Sequence, residues 1–141
     1  MPELFHFFSS DETILFAKQF ACRLKPNDIV LLTGDLGAGK TTFTKGIVEG
    51  LGSFDLVQSP TYVYLQIYAA KIPVFHFDLY RMHKESDFFA MGFEEYFTKN
   101  GVTLIEWPER IARLVPAYSF HITLKTVSEN ERTILISKGT L

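Results

Sequence analysis

The chain has 141 residues, of which 14 are lysine or arginine and 16 are aspartate or glutamate, so its formal net charge is −2. This length predicts one domain over residues 1–141 with a hydrophobic core of useful size. The near-neutral charge comes without a cluster of basic residues, which argues against a free-standing nucleic-acid binder but leaves open nucleic acid reached through a partner.

The cellular compartment is indicated by the cysteine count and by the apolar segments. Cys22 is the single cysteine and cannot form an internal disulfide, which favours a reducing cytosol. No stretch approaches the roughly 18 apolar residues of a membrane span. Met1–Leu4 lacks the basic region of a signal peptide. We therefore expect a cytoplasmic protein without a membrane partner, and a packed rather than nucleophilic thiol at Cys22.

The first elements lead to a buried strand. Leu4–Phe8 is predicted to be a strand, and Ser9 with Glu12 three residues later is typical of a capping box that begins a helix. The apolar face of that helix is formed by Ile14, Ala17, Phe20, Ala21 and Leu24. After a break at Lys25-Pro26-Asn27, the apolar run Asp28–Thr33 predicts a parallel strand buried on both faces.

The next segment fits the Walker A pattern G-x-x-x-x-G-K-[ST] from Gly34 to Thr41. Its glycines let backbone N–H groups approach phosphate oxygens, Lys40 can reach the β- and γ-phosphates, and the Thr41 hydroxyl can bind Mg²⁺. A helix over Thr42–Leu51, ended by Gly52, directs its positive N-terminal end at the anion. We therefore predict ATP and Mg²⁺ as cofactors, with nucleotide binding by Asp35, Gly37, Ala38, Gly39, Lys40, Thr41 and Thr42.

The rest of the chain predicts a hairpin, two helices and three further strands. Thr61–Tyr68 and Val74–Leu79 are joined by a link too short for a helical crossover, which favours an antiparallel hairpin. The remaining predicted elements are a helix over Glu85–Thr98, a buried strand over Val102–Ile105, a short helix over Pro108–Val115, and strands over Phe120–Leu124 and Thr133–Ile136. The fold class is α/β, a single P-loop NTPase-type domain with three layers and a central, mostly parallel mixed sheet that includes the hairpin.

Carboxylates follow two of the predicted strands. Glu106 ends the Val102–Ile105 strand, where P-loop enzymes usually place an aspartate that holds Mg²⁺ directly or through water. Glutamate departs from that pattern, and its extra methylene has to be accommodated. A solvated acid at a strand end is the alternative interpretation. Trp107 follows and either stacks on a ligand or simply packs.

Asp78 ends the neighbouring strand within the segment His76–Arg81. In strand register His76, Asp78 and Tyr80 share one face, and three polar groups there are unusual for a simple core. Asp78 is a candidate general base, water-orienting group or supporting partner of the metal, against a structural ion pair with Arg81. His76 is equally compatible with a structural and a functional role.

Two further features carry alternative interpretations. Thr61, in the segment Ser59–Tyr62, occupies the place of a switch threonine that senses the γ-phosphate, although a turn and strand start would use the same residues. Arg110 and Arg113 follow Glu106 and could act as an internal arginine finger, but surface placement is the simpler interpretation. We assign the catalytic set to Lys40, Thr61, Asp78 and Glu106 and the metal ligands to Thr41 and Glu106.

Four sequence blocks in this order and spacing resemble the bacterial TsaE family, also called YjeE. The blocks are Gly34–Thr42, Ser59–Tyr62, His76–Arg81 and Glu106–Glu109, and the stretch Met91–Tyr96 resembles a helix of the family. The likeness runs from about Ser9 to Arg113 and is weak in the last strands. The resemblance implies that glutamate is the usual family residue at the position of Glu106. It also implies that Thr41 and Glu106 match the Mg²⁺ positions and that Asp78 and Thr61 lie near the γ-phosphate.

The resemblance implies a small P-loop ATPase of the tRNA threonylcarbamoyladenosine pathway. Family members work with TsaD, which transfers the threonylcarbamoyl group, and with TsaB, which supports TsaD. Hydrolysis would drive turnover of that complex, slowly without the partners and faster with them, and tRNA would be reached indirectly through the complex.

Two other functions remain as alternatives. A small-molecule or nucleoside kinase would need an acceptor pocket and usually an arginine-bearing lid, yet only five arginines are spread along this chain without a lid-like insertion. A nucleotide-gated binding module that does not hydrolyse ATP would not need Lys40, Thr41 and the two carboxylates together.

Overall fold

A computed structural model describes residues 2–35, 37–55, 57 and 64–139. The strands are β1 (Glu3–Phe7), β2 (Ile29–Gly34), β3 (Leu65–Tyr68), β4 (Val74–Asp78), β5 (Val102–Glu106), β6 (Phe120–Thr126) and β7 (Arg132–Lys138). The α-helices are α1 (Ser10–Ala21), α2 (Lys40–Gly50) and α3 (Glu85–Ala90), and 3₁₀ segments span Phe93–Thr98 and Pro108–Leu114.

The seven strands form one mixed sheet with the order β1-β7-β6-β2-β5-β4-β3. The four central strands β6, β2, β5 and β4 are parallel, whereas β3 pairs antiparallel with β4, and β7 pairs antiparallel with both β6 and β1. This arrangement confirms the predicted α/β class, with its parallel centre and its antiparallel hairpin. The carboxyl ends of β2, β4 and β5 meet at one edge of the sheet, where ligands of such sheets bind.

Helices cover both faces of the sheet and give three layers. Residues of α1 and α2, including Ala17, Phe20 and Phe43, join the core on one face. On the other face, Phe88 and Phe97 pack with residues of β2, β4 and β5. The central strand β2 is buried on both sides over Ile29–Leu32, as its continuous apolar run predicted.

The helices α1 and α2 lie close together because small residues face each other. A Cβ added at Gly46 would lie 2.7 Å from the Ile14 carbonyl oxygen, and one at Gly50 would lie 2.9 Å from the Lys18 carbonyl oxygen. Ala17 and Ala21 supply the opposing small side chains. This contact fixes α2, and therefore the loop that precedes it, against α1.

Three sequence predictions for the helices differ from the structure. The predicted helix Glu85–Thr98 is wrong as one element, because it breaks at Gly92, whose φ is +72°. Positions 88 and 97 of a straight helix would point to opposite sides, whereas the break brings the Phe88 and Phe97 ring centroids to 5.7 Å. Cys22 is exposed rather than packed, since it follows α1 on the side away from its buried stripe. The helix after Pro108 is a 3₁₀ segment with a kink at Ile111.

The other element boundaries agree closely with expectation. Ser9 is the N-cap of α1, and its Oγ accepts from the Glu12 N–H at 3.1 Å. The predicted strand Thr61–Tyr68 corresponds to β3 over Leu65–Tyr68, and residues 61–63 lie outside the described residues. In the described part of the chain, no helix is both long enough and apolar enough to cross a bilayer.

Candidate functional site

The phosphate loop lies between β2 and α2, as the motif requires. Gly39 is the N-cap of α2 with φ +103°, and in the described part of the chain no side-chain cap hydrogen bond satisfies the free N–H groups of the first turn. Those donors therefore remain available to an anion at the positive end of the helix. Ala38 is buried, and its N–H donates to the Asp35 carbonyl oxygen at 3.0 Å, which closes the loop.

A cavity of about 620 Å³ opens above the loop and brings most of the predicted site together. Its walls comprise Asp35, Gly37, Gly39, Lys40, Thr41, Thr42, Asp78, Tyr80, Glu106 and Trp107. Of the predicted nucleotide-binding residues, only Ala38 faces away from this cavity. Thr61 lies outside the described residues, so its predicted position near the γ-phosphate stays a prediction.

Glu106 is the last residue of β5 and its carboxylate is almost fully buried. One oxygen, Oε2, lies 2.7 Å from His76 Nε2, and the other, Oε1, lies 3.8 Å from Lys40 Nζ. The two oxygens therefore have different partners, one in the interior of the sheet and one on the phosphate loop. The interpretation of Glu106 as a solvated strand-end acid is wrong.

Asp78 lies opposite Glu106 in the parallel ladder of β4 and β5. Its Oδ1 accepts from the Tyr80 N–H at 3.0 Å. Burial raises the pKa of Asp78 above its ordinary value, and the negative charge of Glu106 adds to this effect. The Tyr80 N–H, His76 and Lys40 lower the same pKa without cancelling the rise. A half-buried carboxylate with a raised pKa accepts a proton more readily than an exposed one.

Trp107 directly follows β5, and its side chain forms part of the cavity wall. Its backbone is left-handed, with φ +60°, and its ring lies 4.9 Å from the Tyr80 ring between centroids. Lys40 Nζ lies 5.1 Å from the centroid of the same indole. The ring packs on Tyr80, as one of the two interpretations predicted, and it also lines the cavity, so stacking on a ligand stays a prediction.

The two arginines after Trp107 are engaged away from the phosphate loop. Arg110 donates to the Tyr80 carbonyl oxygen at 3.2 Å, and Arg113 pairs with Glu85 at 3.1 Å. Neither guanidinium group lines the 620 Å³ cavity in the described part of the chain. Surface placement, the simpler of the two interpretations, is the one the structure favours.

A second cavity, of about 250 Å³, lies on the other side of the loop. It is lined by Ser9, Ser10, Thr13, Gly37, Ala38, Gly39, Thr42, Glu129, Asn130 and Arg132. Gly37, Gly39 and Thr42 belong to both cavities, so the two spaces adjoin along the phosphate loop.

Comparison with known proteins agrees with these features. The family model described as threonylcarbamoyl adenosine biosynthesis protein TsaE matches residues 7–134. The chain belongs to the TsaE family. This family is involved in tRNA threonylcarbamoyladenosine biosynthesis. The match confirms the resemblance carried by the four sequence blocks and extends it into the last strand.

Relatives and a solved structure of the TsaE family cover nearly all of the chain. The chain is 44% identical over 125 residues to the tRNA threonylcarbamoyladenosine biosynthesis protein TsaE of Bacillus subtilis (strain 168), which covers 88% of this chain and 78% of that protein. It is 44% identical over 132 residues to the protein of the same name from Rickettsia prowazekii (strain Madrid E), covering 92% and 91%. The crystal structure of Bacillus subtilis YdiB matches with a TM-score of 0.81 and 35% identity, covering 99% of this chain and 86% of that one.

The hydroxyl and carboxylate oxygens that line the cavity of this TsaE-family chain would suit Mg²⁺ better than a transition metal. No group of three or more His, Cys, Asp or Glu side chains in the described residues could hold a metal ion alone. Mg²⁺ does not need such a cage, because it is usually held by one or two carboxylates, substrate phosphates and waters. Thr41 and Glu106 line the same cavity and offer hard oxygen donors beside the phosphate loop.

Two sets of residues were missed by the sequence analysis. Tyr80 was expected only to share a face with Asp78, yet it lies beyond the end of β4, lines the cavity and holds Trp107. Ser9 was interpreted as a helix cap alone, and Arg132 was not considered. Nothing in the sequence pairs residues more than 110 positions apart, so the second cavity carried no signal.

Proposed function

We propose that this chain is an accessory, Mg²⁺-dependent ATPase required for tRNA threonylcarbamoyladenosine modification, and that its hydrolysis of ATP drives turnover of a TsaB–TsaD complex. One observation carries the proposal: a phosphate loop and two strand-end carboxylates, Asp78 and Glu106, line one cavity. Membership of the TsaE family supports the pathway. The partners follow from the family resemblance, and tRNA is contacted through them.

The chemistry follows from the positions of the side chains. Lys40 and the free N–H groups of α2 stabilise negative charge on the β- and γ-phosphates. Thr41 and Glu106 hold Mg²⁺, which supplies further neutralisation of the phosphate charge when bound. Asp78, whose pKa is raised by burial, orients the attacking water or accepts its proton. Thr61 is the second candidate for placing that water.

We propose a direction for the bound nucleotide from two of the three cavities that border the phosphate loop in the described part of the chain. Lys40 reaches the β- and γ-phosphates, and Lys40, Asp78 and Glu106 all line the 620 Å³ cavity. The γ-phosphate therefore belongs in that cavity. The α-phosphate belongs near Thr42, which borders both spaces, and the base continues into the 250 Å³ cavity.

Reconstitution of tRNA modification is the decisive experiment. With TsaB, TsaD and the other components present, omission of this protein abolishes multiple turnover. Lys40→Ala fails to restore it, because removal of one group that stabilises transition-state charge costs about 10²–10³-fold in rate. Lys45→Ala, an exposed lysine of the same helix, is the matched control and restores full turnover. Equal rates for the Lys40 variant and the wild type would reject the proposal.

Phosphate release by the protein alone tests the role of the partners and the metal ligands. We expect slow Mg²⁺-dependent release that accelerates when TsaB and TsaD are added. Thr41→Ala and Glu106→Ala each lose the Mg²⁺-dependent part of the rate. Full activity without partners, unchanged on their addition, would contradict the accessory role, and wild-type rates in both variants would remove these residues from the metal site. Transfer of phosphate to a hydroxyl acceptor would favour a kinase instead.

A further inference from the structure

His76 is a buried polar side chain that the proposed chemistry does not use. It lies in the middle of β4, two residues before Asp78, and its side chain is only 1% exposed. Its Nε2 contacts Glu106 Oε2 at 2.7 Å across the β4–β5 ladder. In the described part of the chain, His76 Nδ1 is buried without a hydrogen-bond partner.

The ring nitrogens of His76 can donate or accept, depending on the tautomer. An ionised carboxylate can only accept, so we assign the proton to Nε2, which then donates to Glu106. Burying Nδ1 without a partner costs free energy, which an apolar side chain at this position would avoid. The bond to Glu106 compensates for the cost of burying Nδ1. This indicates that the histidine is present to bind the Glu106 carboxylate rather than to pack the core.

The bond also explains how a glutamate can stand where an aspartate is usual. Glutamate has one more rotatable bond than aspartate, so its carboxylate can adopt more positions. His76 holds Oε2 in the interior of the sheet, which leaves Oε1 directed at Lys40 and the cavity. When Lys40 turns to a bound phosphate, the bond to His76 is the contact that keeps the carboxylate in place.

We propose that His76 is a positioning residue, which clamps one oxygen of Glu106 so that the other is presented to Mg²⁺ beside the phosphate loop. This role rests on the proposed function, because it assumes that Glu106 holds Mg²⁺. Residues that orient a metal ligand typically change metal affinity or activity by 10–100-fold when they are replaced.

Two substitutions separate this role from a purely structural one. The amide nitrogen of glutamine can occupy the place of Nε2, whereas that of asparagine reaches only the place of Nδ1. In His76→Asn, we expect the Mg²⁺ concentration for half-maximal turnover to rise about 10–100-fold, with the KM for ATP at saturating Mg²⁺ unchanged. In His76→Gln, the Mg²⁺ dependence returns towards that of the wild type. Equal Mg²⁺ dependence of the asparagine variant and the wild type would overturn the role.

Binding without turnover gives an independent readout. Trp107 is the only tryptophan, and the centroid of its ring lies 5.1 Å from Lys40 Nζ, so we expect its fluorescence to change when ADP binds. In EDTA, His76→Asn and the wild type bind ADP equally. With Mg²⁺ present, the wild type gains affinity and His76→Asn loses most of that gain. An equal gain in both proteins would overturn the proposal, and urea unfolding of each variant establishes that it is folded.

A measurement on the wild type covers the case in which His76→Asn does not fold. The ¹⁵N chemical shifts of the His76 imidazole identify which ring nitrogen carries the proton. We expect Nε2 to be protonated in the free protein and to keep this hydrogen bond with Mg²⁺ and ADP bound. A proton on Nδ1 alone, or loss of the bond on loading, would overturn the clamp.

Glu106→Gln distinguishes the failure of this inference from the failure of the proposed function. If Glu106→Gln keeps the full gain in ADP affinity from Mg²⁺, then Glu106 is not a metal ligand and the proposed site itself is wrong. If Glu106→Gln loses the gain while His76→Asn keeps it, then the metal role stands and only the clamp is rejected.

Discussion

At the scale of single residues, Asp78 is held in a position that favours its protonated form. Burial at the end of β4 raises the pKa of this carboxyl in the folded protein, whereas the unfolded chain keeps a pKa of about 3.9. The folded state therefore binds the proton more tightly. The stability contributed by this group is fully present below about pH 3.9 and is lost as the pH rises through the raised folded pKa.

Asp78→Asn tests this linkage. The variant keeps an oxygen that can accept from the Tyr80 N–H but cannot ionise, so it avoids the cost of a buried charge. We expect the urea midpoint of Asp78→Asn to exceed that of the wild type at pH 7, and the difference to shrink as the pH falls towards 4. Turnover of ATP falls at the same time, since the base is lost.

The control for Asp78 is the exposed acid Glu94. Glu94→Gln stays within about 0.5 kcal/mol of the wild type at both pH values. A stability difference for Asp78→Asn that does not depend on pH would show that ionisation of Asp78 is not its cause.

At the scale of elements, the packing of α1 on α2 depends on the absence of side chains at two positions of α2. Gly46→Ala places a methyl group 2.7 Å from the Ile14 carbonyl oxygen, a backbone atom that cannot move aside without shifting α1. Overpacking of this kind costs about 1–3 kcal/mol, although alanine gains up to about 1 kcal/mol in helix propensity. We expect a net loss of stability in urea unfolding, together with weaker ADP binding because α2 carries the phosphate loop.

Lys45→Ala lies next to Gly46 on the exposed side of α2 and provides the comparison. Its free energy of unfolding stays within about 0.5 kcal/mol of the wild type. A Gly46→Ala protein that is as stable as the wild type would mean that the cost of overpacking does not exceed the gain in helix propensity.

Local elements were predictable where the sequence itself specifies them. The run Asp28–Thr33, the glycines of the phosphate loop and the Ser9 cap are local signals, and the structure agrees with each of them. The helix Glu85–Thr98 was not predictable in detail. Its break at Gly92 is decided by Phe88, Phe93 and Phe97 packing together on the sheet, which is a tertiary effect.

The residues that form the site could be predicted from the sequence, but the hydrogen bonds between their side chains could not. Asp78 and Glu106 could be placed at one sheet edge, because both end parallel strands. The contact between His76 and Glu106 depends on the register of two strands about 30 positions apart, which the sequence does not specify.

At the scale of the whole molecule, the proposed position of the base can be tested by filling the second cavity. Ser10 lies at the exposed start of α1 and lines that cavity. We expect Ser10→Trp to lose ATP binding while still binding tripolyphosphate, since the phosphates remain in the other cavity. Isothermal titration measures both affinities.

Leu15→Trp adds the same side chain at an exposed position of α1 outside either cavity, so it controls for the added bulk. It binds ATP and tripolyphosphate like the wild type. Equal loss of both ligands in Ser10→Trp would show that the substitution distorts the phosphate loop, and no loss of either would place the base elsewhere.

The two sides of the second cavity are synthesised at different times. Ser9 and Thr13 come from early in the chain, whereas Glu129, Asn130 and Arg132 come from the turn before β7 and from its first residue. A ribosome that has already synthesised the phosphate loop, Asp78 and Glu106 has therefore not yet made one side of the space that receives the base. We expect a nascent chain stalled before β7 to contain the phosphate loop and yet to hold ATP poorly, so that nucleotide binding begins only after β7 has been made.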